Sequence, residues 1–348
     1  MDVRLSGEQQ ALGDSVAQVV DRLGPGTVRG LDDTARVGAL DAAVAGSGWR
    51  ELREPVDGWT PLASGVEVAV VAEELGRGLA DTSFLGPTLA TELRRLAGAP
   101  PSATIETVAL TPSLATLATV GGNALPVGTV AVDARGASAA LILVPDGAGH
   151  ALASVAIGPV EVGTDLTRPG AAVDPVVAVM PVEGPDTRTV TDGQLSTWTA
   201  LGLALECADL VGTMRGAVDL AVDYACARHQ FGRPIGSFQA VQHLLADAFV
   251  LMEGSRSAAR HAAWAVDALE ADEALVATAT AKAYCARAAR AVCETAIQVH
   301  GGVGNTWECL AHLYLRRALL STEALGGVGA SLDRVVAHYG IGGDRGLR

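Results

Sequence analysis

The chain has 348 residues, and its 25 Lys+Arg stand against 39 Asp+Glu, which gives a formal net charge of −14. This acidic balance excludes a sequence-independent grip on nucleic acid, which needs a basic face to displace counterions, and it excludes a polybasic membrane anchor. No apolar run reaches the roughly 18 residues that cross a bilayer. The N-terminus is polar and lacks an apolar signal core, so we expect a cytoplasmic protein that binds neither membranes nor nucleic acid.

Residues 1–100 have the pattern of an N-terminal helical domain. Ser6 is placed to cap a helix over Gly7–Leu23, whose apolar residues recur on one side. A second helix is predicted over 64–79. The stretch 49–59 between them is short and carries Pro and Gly, which is typical of a loop.

Residues 101–190 predict a small middle β domain. Helical periodicity is absent there, and short β-type runs are separated by Gly, Pro and Asp. The runs are Thr107–Leu110, Thr129–Val132, Ala140–Val144 and Val176–Val182.

Residues 191–348 return to a strong helical pattern and predict a four-helix bundle. The predicted helices cover 195–228, 239–269, 273–299 and 307–324. The fold class is therefore α+β, mostly α, with helices before and after a small β domain.

The thiols and the single lysine limit the available chemistry. There are five cysteines, with no Cys-x-x-Cys and no Cys/His cluster at metal spacing, so we expect buried reduced thiols and no metal site. Lys282 is the only lysine, which excludes Schiff-base chemistry elsewhere. The cysteines are Cys207, Cys226, Cys285, Cys293 and Cys309.

Two stretches carry candidate binding groups. The connector 228–239, Arg-His-Gln-Phe-Gly-Arg-Pro-Ile-Gly-Ser-Phe-Gln, joins two predicted helices and presents guanidinium groups suited to phosphate oxygens. The stretch 298–304, Gln-Val-His-Gly-Gly-Val-Gly, lets a ligand approach the backbone closely. In isolation, the first stretch is more typical of a solvated loop between two helices, and the second is more typical of a helix C-cap followed by a turn.

Together these stretches resemble the acyl-CoA dehydrogenase family. The resemblance also includes the opening Leu-Ser-Gly-Glu-Gln-Gln, the Val-Ala-Glu-Glu-Leu-Gly-Arg-Gly-Leu-Ala segment at 71–80 and Asp-Leu-Thr-Arg-Pro at 165–169. It implies oxidation of the Cα–Cβ bond of an acyl-CoA thioester, in which a carboxylate takes the α-proton and a hydride passes to the flavin of FAD. It also implies an FAD that lies across a subunit interface, and an electron acceptor such as an electron-transfer flavoprotein.

The same resemblance assigns FAD contacts to the C-terminal bundle, which in this family serves the neighbouring subunit. It places the FAD pyrophosphate near an arginine, a glutamine and the Gly-Gly backbone, the adenosine part near a second glutamine, and two apolar side chains along the cleft. In this sequence the matching residues are Arg228, Gln298, Gly301, Gly302, Gln239, Phe231 and Ile235.

Both positions at which the family supplies its base lack a carboxylate here. One matches Leu325, after the Gly-Gly pair, and the other matches about Gly202, in the helix before the connector. Glu206 and Asp209 follow Gly202 on the same helix face and interrupt an apolar run, and Glu323 lies two residues before Leu325. These three acids are candidate bases, with a structural role as the alternative for each.

The predicted β domain also departs from the family, whose flavin-holding strands carry a Trp-x-Thr/Ser pattern. Residues 101–190 contain no Trp, and Trp198 lies beyond them. We therefore expect that this chain does not hold a flavin ring in its own β domain.

These losses predict the shorter, degenerate subunit of a heteromeric enzyme. By resemblance to actinobacterial α2β2 acyl-CoA dehydrogenases of steroid side-chain degradation, a paralogous subunit would supply the β-domain half of the FAD site and the catalytic Glu. The alternatives are a self-sufficient homo-oligomer with a displaced base and a non-catalytic scaffold. Arg316 and Arg317 are candidates for a CoA-binding patch, for a subunit interface or for a solvated face.

Overall fold

The computed structural model describes residues 4–122, 124–176 and 178–340. Four parts of the predictions fall outside these residues. They are residues 1–3 of the predicted N-terminal domain, Asn123 of the predicted β domain, Val177 within the predicted run Val176–Val182, and residues 341–348 of the predicted bundle.

The described chain begins with helices. Helix α1 covers Gly7–Leu23 as predicted, because the Ser6 side chain accepts from the Gln9 amide while the Gln9 side chain accepts from the Ser6 amide. A 3₁₀ turn and three further helices follow. Their bounds are Val28–Asp32 for the 3₁₀ turn, Thr34–Gly46 for α2, Gly65–Arg77 for α3 and Leu85–Leu96 for α4.

Helices α2 and α4 were not predicted. In α4 the reason is Pro87, which suggests a turn but lies in the first helical turn, where the amide of a residue has no intrahelical acceptor. Phe84 also provides no side-chain cap. The cap comes instead from a residue that is distant in sequence. The Asp133 carboxylate accepts hydrogen bonds from the amides of Phe84 (2.8 Å) and Gly86 (3.2 Å) at the start of α4.

The middle segment forms a seven-stranded sheet in the order β5-β6-β2-β1-β3-β4-β7. Strands β1 and β3 are parallel, and the other neighbouring pairs are antiparallel. Each predicted run contains a strand, while β4, β5 and β6 were not predicted. The bounds are Glu106–Leu110 (β1), Val130–Ala131 (β2), Ala139–Asp146 (β3), Gly149–Ala156 (β4), Val160–Glu161 (β5), Gly170–Ala172 (β6) and Val179–Pro181 (β7).

The two faces of the sheet differ in side-chain size. On β3, Leu141 and Leu143 point into the main core that the helices share, while Ala140 and Ile142 belong to a second, smaller cluster. That smaller cluster consists largely of alanines. The sheet therefore packs its large side chains towards the helices.

The C-terminal helices are long and agree closely with the predicted ones. A short hairpin and a 3₁₀ turn separate the first two helices, and a second 3₁₀ turn precedes α8. The bounds are Asp192–Ala227 (α5), His229–Gln230 (β8), Arg233–Pro234 (β9), Ile235–Ser237 (3₁₀), Gln239–Ala268 (α6), Ala271–His300 (α7), Gly301–Asn305 (3₁₀), Ala311–Glu323 (α8) and Val328–Tyr339 (α9). Helix α9 was not predicted.

The structure thus has the predicted α+β, mostly α, class. The domain boundaries at 100/101 and 190/191 stay a prediction, because one continuous core includes residues of α1, of the sheet and of α7. In the described part of the chain, no helix combines the length and the apolar character needed to cross a membrane.

A buried arginine joins the N-terminal helices to the bundle. The Arg53 side chain is fully buried and pairs with Glu92 of α4 at 3.0 Å and with Asp267 of α6 at 3.1 Å. Asp267 also accepts from the Gly65 amide at 2.6 Å, at the start of α3. One guanidinium therefore connects three helices.

We predict that Arg53→Ala lowers the free energy of unfolding by about 3–5 kcal/mol, because it leaves two carboxylates without their shared cation. Arg29→Ala is the matched control, since Arg29 is exposed and its loss is expected to cost less than about 0.5 kcal/mol. Urea denaturation of both variants measures the difference. Equal stability of the two variants would contradict a linking role for Arg53.

Candidate functional site

The first predicted motif forms a rigid connector between α5 and α6. Arg228 caps α5, and its carbonyl accepts from the Ile235 amide at 2.8 Å, which closes the β8–β9 hairpin. At the tip, Phe231 and Gly232 have φ values of +52° and +78°. A non-glycine residue in this region is uncommon, so the hairpin holds Phe231 in an unusual conformation.

The Phe231 side chain projects from this hairpin into solvent. It is 92% exposed and touches the Phe238 ring edge-on, with centroids 6.1 Å apart. The Arg233 guanidinium lies 4.2 Å from the Phe238 ring centroid on the same connector. A large aromatic side chain held this far out is typical of a surface that another chain covers.

The second predicted motif lies at the same end of the bundle as the first. The Tyr224 ring, near the end of α5, stacks on the His300 ring at the end of α7, with centroids 4.4 Å apart. Gly301 follows with φ +65°, and a Cβ at Gly301 or Gly302 would have no neighbouring atom within 4 Å. The backbone of this turn is therefore uncovered, and its contact with FAD stays a prediction.

The side chains predicted to contact FAD are free to do so. Arg228, Gln239 and Gln298 are exposed, and within residues 4–122, 124–176 and 178–340 their side chains make no hydrogen bond or ion pair. A guanidinium, two amides and an open Gly-Gly backbone suit phosphate oxygens and a nucleotide. Ile235 is half-buried behind them, against the core. This donor set fits the dinucleotide end of FAD.

The candidate bases on α5 lie in a different place, inside the protein. They belong to a group that we call the central charge cluster, in which all six side chains are buried. Its members are Asp165, Arg168, Glu206, Asp209, Lys282 and Arg317. They come from the turn before β6 and from α5, α7 and α8, so the cluster joins the sheet to the bundle.

Asp209 is fully engaged within the cluster. One of its oxygens accepts from the Arg317 guanidinium at 2.6 Å, and the other accepts from the Ser321 hydroxyl at 2.8 Å. Burial disfavours its charge, but Arg168 and Arg317 outweigh that effect and hold the pKa of Asp209 below its ordinary value. An ionised, doubly paired carboxylate has no free position for a substrate proton, so the geometry argues for the structural alternative.

Glu206 is less well satisfied. Its Oε2 lies 3.8 Å from an Arg168 nitrogen and has no hydrogen-bond partner in the described part of the chain. Burial raises the pKa of Glu206, while Arg168 and Lys282 oppose the rise. A raised pKa is typical of a general base, but this side chain is only 7% exposed and lies among the buried members of the central charge cluster.

Lys282 completes the cluster as a capping group. Its buried ammonium donates to the carbonyl oxygens of Ser321 at 2.6 Å and of Ala324 at 2.8 Å. Both carbonyls lie at the C-terminal end of α8, where helical acceptors lack partners and a cation is favourable. Burial lowers the pKa of Lys282, and the negative charge of Glu206 works against that shift.

The exposure of three side chains, Arg317, Cys226 and Glu323, bears on the interpretations made from the sequence. Arg317 is buried in the central charge cluster, so its assignment to a solvated face or a CoA-binding patch was wrong. Cys226 is exposed, whereas the other four cysteines are buried and all five are free, so buried thiols describe four of the five. Glu323 is exposed, with its carboxylate beside Gly327 and outside the buried cluster.

The two positions matching the family's base prove to be neighbours in space. A Cβ placed on Gly202 would lie 2.2 Å from Cδ1 of Leu325 and 3.5 Å from Cδ2 of Leu89. Leu325 is 2% exposed and has a φ of +59°. An apolar side chain therefore fills the place at which the resemblance expects a carboxylate.

Trp198 is also accounted for by the structure. Its ring is buried, and its indole N–H donates to the Leu89 carbonyl at 2.9 Å, which ties α5 to α4. This tryptophan is part of the core and not of the sheet. The described strands therefore offer no tryptophan beside which a flavin ring would stack.

Comparison with known proteins places the chain in a family. The family model "Acyl-CoA dehydrogenase, C-terminal domain" matches residues 201–338. The acyl-CoA dehydrogenase IpdE2 of Mycobacterium tuberculosis is 32% identical over 337 residues, covering 91% of this chain and 93% of that protein. The chain belongs to the acyl-CoA dehydrogenase family.

Solved structures agree with this assignment. A chain of the ChsE4–ChsE5 complex from Mycobacterium tuberculosis superposes with a TM-score of 0.76 at 25% identity, covering 98% of this chain and 99% of that one. A chain of the Tcur3481–Tcur3483 steroid acyl-CoA dehydrogenase superposes with a TM-score of 0.76 at 22% identity, covering 96% and 98%. The similarity to the second structure shows a shared fold.

We predict losses of stability of different size for the two neutralised acids of α5. Asp209→Asn should lower the free energy of unfolding by about 3–5 kcal/mol, because Arg168 and Arg317 lose their shared anion. Glu206→Gln should cost less than about 1 kcal/mol, because the Oε2 of Glu206 has no hydrogen-bond partner in the described part of the chain and the substitution therefore breaks no hydrogen bond at that atom. Chemical denaturation at neutral pH compares the two variants.

The pH dependence follows from the raised pKa of Glu206. The Glu206 carboxyl binds its proton more tightly in the folded protein than in the unfolded chain. Its contribution to stability is therefore complete below the ordinary pKa of 4.5 and is lost as the pH rises towards the higher pKa of the folded state. Glu206→Gln should therefore gain stability relative to the wild type as the pH rises above 4.5. A constant difference would show that burial does not shift this group.

Proposed function

We propose that this chain is the degenerate subunit of a heteromeric FAD-dependent acyl-CoA dehydrogenase. It supplies the C-terminal half of the FAD site, and a paralogous subunit supplies the β-domain half together with the catalytic Glu. FAD provides the hydride acceptor when bound. The reaction of the complex is α,β-dehydrogenation of an acyl-CoA thioester, with an electron-transfer flavoprotein as the kind of acceptor expected.

The observation that carries this proposal is the contrast between the two half-sites. At the end of the bundle, Arg228, Gln239 and Gln298 are exposed and unpaired in the described part of the chain. At the base position, Leu325 lies against Gly202 and is buried. One half-site is open for a partner, and the other has no proton acceptor.

Each residue of the open half-site has a proposed task. Arg228 neutralises the pyrophosphate, Gln239 contacts the adenosine part, and Gln298 with the Gly301 and Gly302 backbone faces the pyrophosphate. Phe231 and Ile235 line the cleft between the subunits. The exposed ring of Phe231 becomes buried when the partner docks.

A steroid acyl-CoA is the substrate class that we propose. The name of one similar structure identifies a steroid acyl-CoA dehydrogenase, and both similar structures name two components. IpdE2 is matched over nearly its whole length, so the short chain length is shared with that relative. The two-component names support a heteromer. The steroid acyl-CoA substrate is likewise part of the proposal.

We predict that the chain purified alone is colourless and that the complex with its paralogous subunit is yellow. Arg228→Ala should lower the FAD content of the complex by at least about tenfold, because a charge-assisted contact to phosphate contributes on the order of 1.5–3 kcal/mol. Flavin absorbance after gel filtration measures both results. Arg22→Ala, an exposed arginine at the end of α1, is the matched control.

Three results would contradict the proposal. A stoichiometric yellow complex of the lone chain would indicate a self-sufficient homo-oligomer. A complex without flavin would indicate a scaffold. An active yellow complex that keeps its full FAD content in Arg228→Ala, as in the Arg22→Ala control, would place the cofactor elsewhere.

A further inference from the structure

The segment between α8 and α9 has an unusual conformation that several contacts fix. Leu325 is the only residue of 324–327 that combines a positive φ, +59°, with a side chain beyond Cβ. An L-residue in this region is strained, so it persists only when its surroundings determine it.

The backbone of Leu325 is held on both sides. Its amide donates to the Leu114 carbonyl at 2.7 Å, in the loop after β1. Its carbonyl accepts from the Arg334 guanidinium of α9 at 3.0 Å. The residue is therefore anchored to the sheet and to α9 independently of its own side chain.

The stem of the segment is held by Lys282. Its ammonium donates to the carbonyl of Ser321, four residues before Leu325, and to the carbonyl of Ala324, directly before Leu325. An ammonium buried without water is retained only when it is well paired. Lys282 therefore fixes the end of α8 and sets the direction in which the chain leaves it.

The opposite wall is shaped to receive the leucine. A Cβ on Gly202 would lie 2.2 Å from Cδ1 of Leu325, which no real pair of carbon atoms tolerates. Leu89 of α4 lies on the same side. The absence of a side chain at Gly202 and the presence of one at Leu325 are therefore complementary.

We infer that residues 324–327 form a permanent plug that excludes acyl-CoA from this subunit's own base position, and that Lys282 is the positioning residue that holds the plug. This inference rests on the proposed function for the identity of the excluded ligand. In addition to lacking a carboxylate, the base position of this subunit is filled by residues 324–327. Acyl-CoA then occupies only the partner's site.

Thiol labelling tests the plug in the full chain without FAD or a partner. All variants carry Cys226→Ser, because Cys226 is the exposed native cysteine. Leu325→Cys introduces a reporter whose backbone anchors to Leu114 and Arg334 remain. Leu201→Cys introduces a control reporter that is buried on α5 and becomes accessible only when the helix core opens.

The closed plug predicts that the thiol introduced by Leu325→Cys reacts with iodoacetamide about a hundredfold more slowly than Cys226 does in the wild type. Adding Lys282→Met should raise that rate at least about tenfold, because the end of α8 is released. The thiol introduced by Leu201→Cys should not follow this increase. Octanoyl-CoA should leave every rate unchanged.

Arg334→Ala is the second variant, in case Lys282→Met does not fold. Arg334 is only partly buried and is not a member of the central charge cluster, so we expect its loss to be tolerated. Because Arg334 donates to the Leu325 carbonyl, its loss should also raise the labelling of the Leu325→Cys reporter. Fast labelling of the Leu325→Cys reporter without Lys282→Met or Arg334→Ala would overturn the plug. Unchanged labelling when either substitution is added would overturn it as well. A parallel rise of the Leu201→Cys reporter, or a rate that depends on octanoyl-CoA, would also overturn it. Failure of the proposed function would show separately, as missing flavin in the complex.

Discussion

The burial of six charged side chains in the central charge cluster is the constraint on which the rest of the structure depends. Removing charges from water is costly, and their attraction offsets the cost only when each group is paired and hydrogen-bonded. Asp209 and Arg317 meet this condition closely, at 2.6 Å, while Glu206, whose Oε2 has no hydrogen-bond partner in the described part of the chain, meets it less well. The cluster therefore holds α5, α7, α8 and the turn before β6 in one arrangement.

The two ends of the bundle differ in how far their polar groups are paired and buried. Towards the sheet, the Arg168 guanidinium donates to Asp165 at 2.8 Å and to Ser321 at 2.5 Å, and the charged side chains are buried. At the far end of α5 and α7, the Tyr224–His300 stack is followed by free donors and an open glycine turn. A chain built in this way presents half of a binding site to another molecule and keeps its own interior sealed.

Much of the fold was predictable because local signals agree with tertiary packing. The capping box at Ser6 and Gln9 fixed α1 to the residue, and the long helices kept their periodicity. The failures have physical causes: Pro87 suggests a stop but lies in the first turn of α4, and β5 and β6 are too short to show alternation. The FAD contacts were chosen by motif, and the structure brings both motifs to one end of the bundle. The cluster escaped prediction because Arg168, Lys282 and Arg317 are far apart in sequence, although Glu206 and Asp209 had signalled buried charge within an apolar run.

The burial of Lys282 has a further consequence for chemistry at amines. Lys282 is the only lysine, and its ammonium is fully buried and donates to two carbonyls. Its pKa is lowered by burial, yet access and not basicity limits its reaction. In the folded chain no lysine side chain is available for acylation or for conjugation of a modifier protein. Modification at this position therefore becomes a marker of the opened core, and in a complex, lysine-directed cross-links would arise from the lysines of the partner.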